Sequence, residues 1–248
     1  MVEYQFYLCI ILFTRLVYLY RDEATGWWFS ASLGLVQALI VLMVFGFSSL
    51  TVATLAVVFT LTTLSGAVEK ILPVHWCRLV MLGGIAVMPA GLYPALGGFT
   101  LSPMAAGMMD HAGQIVAVVA GPVQLESGRV VSTLMGLLLL ANEVNIAMRG
   151  IFHSLDLVPR LGESETGGQP AARDEREYNA GRVIGILERW LMFLVVLFGN
   201  NWSALGFIIA AKGLARFDKL KNQTFAEYML IGTLMSALFA IVVAWSVG

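Results

Sequence analysis

Long apolar runs and short polar breaks alternate along almost the whole chain. The runs cover 4–20, 27–48, 50–65, 77–97, 103–121, 128–148, 181–199, 202–217 and 226–247. Most approach the ~20 residues that a helix needs to cross a hydrocarbon core of ~30 Å. None shows the strict apolar–polar alternation of a lipid-facing β-strand. The pattern predicts an all-α, polytopic transmembrane helix bundle. One connection is long, residues 149–180. Its middle, GESETGGQPAARDEREYN, has almost no large apolar side chains. So little surface cannot offset the entropy of ordering the segment, so a mobile loop is expected. The expected organisation is 1–148 as N-terminal membrane helices, 149–180 as a loop and 181–248 as a C-terminal three-helix unit.

Composition strengthens the membrane reading. Hydrophobic residues make up 58% of the chain and charged residues 12%, against about a quarter charged in soluble domains. The net charge of −1 gives no reason to expect nucleic acid as a partner. Cys9 and Cys77 lie in or beside apolar runs and read as small buried hydrophobes rather than a disulfide. Glu3 stands where a secretory leader would carry positive charge, and no small-residue cleavage site follows. The first run is therefore expected to be a retained helix.

Basic residues sort the connections by side. Arg149, Arg160, Arg173, Arg176 and Arg182 flank the long loop, and Arg216, Lys219 and Lys221 follow the eighth run. Arg21 follows the first run, and Lys70 and Arg78 the third. All these connections are expected on the cytoplasmic side. An even number of crossings is then needed between 65–77 and 149–180, where three runs lie. Segment 103–121 is the best candidate for a re-entrant, non-crossing element: it opens with Pro103 and holds Asp110 and His111 in mid-run. The runner-up is 77–97, with Pro89 and Pro94. Eight crossings place the N-terminus outside and eleven of the 15 basic residues in the cytoplasm.

The candidate chemistry is the set of ionisable groups inside apolar runs, each costing roughly 2.5–3.5 kcal/mol at a helix centre. Glu188 lies about 10 Å into the seventh run, and Lys212 about 7 Å before the end of the eighth, at 1.5 Å per residue. The hairpin GNNW brings them to one level. Arg216 follows Lys212 at i,i+4, Glu227 opens the ninth run, and ANEVNIAMRG adds Asn142, Glu143, Asn145 and Arg149. Arg189 points about 100° away from Glu188 and answers to a different partner. These residues predict a polar layer near the cytoplasmic face. Gly181, Gly185, Gly206, Gly232 and Ser236 are expected to let helices close around it. Arg15 is expected to snorkel to the headgroups. Ion pairs that only fix helix register remain the competing reading, above all for Arg149, Arg182 and Arg216. His75, His111 and His153 make no metal-ligand spacing, and no hydrolase, P-loop or zinc-protease motif occurs, so no metal or cofactor is expected.

GRVIGILERWLMFLVVLFG, ALGFIIAAKGLARF and AEYMLIGTLMSALFAIVVA together resemble a bacterial membrane family known as domain of unknown function three-three-zero-seven. The similarity covers about residues 103–247. It runs through Gly181, Gly185, Glu188, Arg189, Lys212, Arg216, Phe217, Glu227, Tyr228, Gly232, Thr233 and Ser236, with Asn145 and Arg149 in the preceding helix. MMDHAGQ resembles a family D-Q-x-x-H: Asp110 fits, while His111 and Gln114 stand exchanged. The first run lacks the His and Asp with which the family opens. The resemblance implies a bacterial inner membrane location and no particular reaction.

Three functions stay open. The polar layer binds or conducts an ion or small polar solute, centred on Glu188 and Lys212 with Asp110. Alternatively, the chain is an enzyme acting on a lipid headgroup. Glu188, Asp110 or Glu227 would then be acid or base, with Arg189, Lys212 and Arg216 holding phosphate. The third is a scaffold whose 149–180 loop recruits a cytoplasmic protein.

Overall fold

The computed structural model describes residues 2–108, 111, 127–156, 175–199, 201–215, 217, 221 and 223–248. Regular structure among them is helical, apart from one isolated bridge between Phe45 and Leu101. The helices are α1 (Val2–Arg15), α2 (Trp27–Val44), α3 (Ser49–Val68), α4 (Val74–Leu96), α5 (Ser127–Leu138), α6 (Val144–Ser154), α7 (Glu175–Leu194), α8 (Trp202–Ala215) and α9 (Gln223–Val247). A 3-10 turn, Leu16–Tyr18, extends α1. A π-helical turn at Leu139–Glu143 joins α5 to α6, and another at Val195–Gly199 ends α7. Among the described residues, five helices are long and apolar enough to cross a membrane: Trp27–Val44, Ser49–Val68, Val74–Leu96, the continuous Gly128–Ser154 and Gln223–Val247. This is the architecture of a multi-pass membrane protein.

The chain divides into two compact units, Met1–Ala147 and Met148–Gly248. In the first, α2 packs on α3, α3 on α4, and α1 on α5. The α2–α3 seam shows why these sequences pair. Two apolar helices in lipid gain little from burying more hydrocarbon, so close approach and interhelical hydrogen bonds must hold them. A Cβ on Gly66 would lie 2.3 Å from Ser30 Oγ and 3.1 Å from the Trp27 Cα, and one on Gly34 3.3 Å from the Phe59 carbonyl oxygen. Thr51, Thr54, Val58, Thr62, Ser65 and Glu69 follow one another at three or four residues and are all buried, so α3 turns a stripe inward that is polar except at Val58. Thr62 donates to Gln37 Oε1 at 2.8 Å, and Gln37 Nε2 donates to Thr14 Oγ1 at 2.9 Å. One ladder thus joins α3, α2 and α1.

Pro73 opens α4, where its missing N–H is not needed. Pro89 and Pro94 lie inside α4, which runs on to Leu96 without a break. Segment 77–97, the runner-up for the non-crossing element, is therefore one long span candidate. The helix stops at Gly97, whose φ of 81° suits a residue without a side chain. Tyr7 Oη donates to the Ile85 carbonyl at 2.9 Å, tying α1 to α4. Phe99 lies 5.2 Å from the Tyr7 ring and 4.8 Å from Phe45, centroid to centroid, and closes that core.

In the second unit α7 packs chiefly against α9. The Phe152 ring contacts Tyr228 at 5.2 Å and approaches Gly232. Among its described residues, α8 buries only Leu205. Most of segment 103–121, including Asp110, and the middle of 149–180 lie outside the described residues, as does Arg216.

Candidate functional site

Two kinds of ion pair emerge, one in each unit. In the first unit, Arg15 donates from Nε and Nη2 to the two oxygens of Glu143, at 2.8 and 3.0 Å. Both side chains are sealed, at 3% and 4% exposure. Arg15 does not snorkel: it stays at the end of α1, held by a carboxylate 128 residues away. The π-helical turn makes this geometry. Its wider winding sets Asn142 and Glu143 side by side toward α1, and Asn142 Nδ2 donates both to the Arg15 carbonyl (3.0 Å) and to Glu143 Oε1 (2.9 Å). Glu143 and Asn142, expected in the polar layer of the C-terminal helices, belong instead to this bond set.

A second sealed pair is chained to the first, because Arg15 Nη2 also donates to the Arg78 carbonyl at 3.0 Å. Arg78 donates from Nε to Glu69 Oε1 at 3.1 Å and from Nη2 to Oε2 at 3.2 Å. Its Nη1 donates to the Arg21 carbonyl at 2.6 Å, and Nη2 donates also to the Glu23 carbonyl at 2.9 Å. Arg78 is therefore not a cytoplasm-facing loop residue: it is 1% exposed, inside α4. Glu69 also accepts from Thr25 N (2.8 Å), Thr25 Oγ1 (2.9 Å) and Ser65 Oγ (2.9 Å). The Tyr18 ring lies under both guanidiniums, 5.3 Å from that of Arg15 and 4.4 Å from that of Arg78. Burial pushes the Glu69 carboxyl up, but Arg78 and the Thr25 donors outweigh it and hold the group below the ordinary carboxylate value. Every carboxylate oxygen of the set accepts at least one bond, while the buried Asn142 Oδ1 accepts none among the described residues.

In the second unit, Lys212 Nζ on α8 contacts Glu188 Oε2 on α7 at 2.5 Å, the pairing expected from the hairpin. Here Lys212 is 20% and Glu188 17% exposed. Arg189 turns the other way, as its helical angle requires. It is buried, and its Nη1 lies 3.5 Å from Ser236 Oγ and 3.6 Å from the Met148 sulfur. Arg149 is near enough for its charge to act on Arg189. Glu227 is exposed and accepts from Gln223 on its own helix at 2.9 Å. Asn145, in the first unit, has a buried Nδ2 without a hydrogen-bond partner among the described residues. His111 is exposed, with Nδ1 2.7 Å from the Gly107 carbonyl.

The glycines expected to close the helices do so unevenly. Among the described residues, a Cβ on Gly181 or Gly206 would meet nothing within 4 Å, and one on Gly185 only the Arg189 Nη1 at 3.9 Å. Gly232 and Ser236 do face neighbours, Phe152 and Arg189. A hollow of about 450 Å³ is lined by Leu191, Leu194, Val195, Phe198, Gly199, Asn201 and Ala204. None of these lining residues is ionisable; the lining starts at Leu191, one turn beyond Glu188 on α7, and at Ala204, eight residues before Lys212 on α8. Among the described residues no group of three metal-ligating side chains occurs.

Sequence reasoning missed Glu69, Arg78, Thr25 and Ser65. A signal existed for the first two: an acid ending one apolar run and a base in the first turns of the next, across the tight Pro73 turn. No signal pointed from Arg15 to Glu143. Set against known protein families, curated proteins and solved structures, the chain matches none.

Proposed function

We propose that this chain is a multi-pass protein of the bacterial inner membrane that binds or conducts an ion or a small polar solute at Glu188 and Lys212. One observation carries the reading: this pair is partly accessible, whereas the pairs of the first unit are closed. An accessible pair contributes about 0–1 kcal/mol, so a passing ion can displace either partner cheaply. A closed pair resists this, because the abandoned charge is left buried. A cation would be met by Glu188 and an anion by Lys212. Arg189 and Ser236 would support the neighbouring face, with Arg149 and Asp110 as further candidates.

The proposed topology has eight crossings with the N-terminus outside: α1 to α4, the continuous α5–α6, α7, α8 and α9. The bacterial setting is carried by the sequence resemblance of residues 103–247 alone, no family model matching the chain.

The test is ion flux in vesicles containing the purified chain and a trapped pH dye, pulsed with sodium chloride, potassium chloride or sodium phosphate. Flux above protein-free vesicles is expected for one of these. Glu188→Gln and Lys212→Met should each lower it roughly tenfold, as loss of ~1.4 kcal/mol would. A folded Glu188→Gln/Lys212→Met double variant with unchanged flux would show the pair to be a clasp between α7 and α8.

A further inference from the structure

The first unit has three tryptophans, Trp27, Trp28 and Trp76, and all stand at one end. The bonds of Thr25 to Glu69 bring the start of α2 to the end of α3. The bonds of Arg78 to the Arg21 and Glu23 carbonyls bring the start of α4 to the same place. Around this end stand Trp28 (72% exposed), Trp27, Trp76 and Tyr20, with Ile71 (84% exposed) and Leu72 on the α3–α4 turn. Trp27 stacks on Trp28 with ring centroids 3.7 Å apart. Arg21, Glu23 and Lys70 are exposed among them. A crown of large apolar side chains interleaved with charges suits neither bulk water nor hydrocarbon. It suits the layer between them, where indole and phenol rings bury their bodies and keep their polar edges wet.

We propose that this crown is a lipid-docking surface seated in the headgroup and glycerol layer of the leaflet next to it, with the bilayer phospholipid as its occupant. The charges identify the kind of lipid contact. Arg21 and Lys70 are balanced by Asp22 and Glu23, so the aromatic rings do the seating and an anionic headgroup is not required. The other end of the α2–α3 hairpin exposes Phe47 and Met43 and has no tryptophan, so the two ends differ in chemistry. The Glu69–Arg78 pair sits directly beneath the crown and ties together the loops that carry it. This inference rests on the multi-pass assignment and is independent of solute binding at Glu188 and Lys212.

The experiment uses the full chain with Trp28 as its lone tryptophan, the other five changed to Phe, in phosphatidylcholine vesicles. The lipids carry bromine near the glycerol end or near the methyl end of one acyl chain. Quenching by the shallow bromine should exceed that by the deep one about twofold, as an interfacial ring requires. The ratio should not change when phosphatidylglycerol or salt is added. Equal or stronger deep quenching overturns the proposal, and so does acrylamide quenching without any bromolipid quenching. A ratio that rises with phosphatidylglycerol and falls with salt overturns the charge-independent seating. Should the Trp28 variant fail to assemble, a lone-Trp76 variant reads the same layer with the same criteria.

Discussion

Arg15–Glu143 and Glu188–Lys212 are both ion pairs between apolar helices, yet they do different physical work. The first is fully enclosed, bidentate and shared with Asn142 and the Arg78 carbonyl. The second is a single contact with both ends partly open. An enclosed charge is held by every bond it makes, because water cannot replace any of them. An open charge can trade its partner for water or a solute. The pair that looks stronger is therefore the one that builds the fold, and the weaker one is the place to seek exchange.

The largest expected effect breaks this contrast at its enclosed end. Arg15→Met should lower stability by about 3–5 kcal/mol, because Glu143 is left charged and buried. The Arg15→Met/Glu143→Met double variant should lose less than either single variant. Reversible unfolding of purified protein in mixed micelles reads both. If each single variant lost under ~1 kcal/mol, the pair would not be enclosed.

Next comes packing. Gly66→Ala should cost about 1–3 kcal/mol, since its Cβ would press on Ser30 and on the backbone at Trp27. Gly206→Ala, which meets open space, should be neutral or gain up to about 1 kcal/mol from helix propensity. Equal effects at the two sites would erase the difference between the seams.

Acid sharpens the contrast further. The folded-state pKa of Glu69 lies below its ordinary value of 4.5. The stability it contributes is therefore complete above that value and is lost as pH falls through the lower folded value. Unfolding measured from neutral pH down to about pH 3 should steepen below about 4.5, and Glu69→Gln should flatten that slope. The smallest expected loss of stability belongs to Lys212→Met, at most about 1 kcal/mol. A much larger loss would move Glu188–Lys212 into the enclosed class.

The helices were legible because lipid-crossing segments leave long uninterrupted apolar runs. Glu188 and Lys212 were legible because a four-residue break fixes the register of a hairpin. Asn142 and Glu143 were misassigned, since no periodicity marks a π-helical turn and the extra residue swings both side chains to a new face. Arg15 was misread for a related reason: near a helix end, a snorkelling arginine and a paired one have the same local sequence. Gly66 and Gly181 are equally small in the sequence, and only the neighbouring backbone distinguishes them.

The Arg15–Glu143 bond also sets a problem of timing during synthesis. Glu143 follows Arg15 by 128 residues. At 5–20 residues per second, roughly 6–26 s pass before that carboxylate exists. Throughout this interval α1, only 14 residues long, carries an arginine without its native acid. The Arg15 end of α1 is thus secured only after its Thr14 and Tyr7 already have partners in Gln37 and Ile85, and it needs water, headgroups or the insertion machinery as its host until Glu143 arrives.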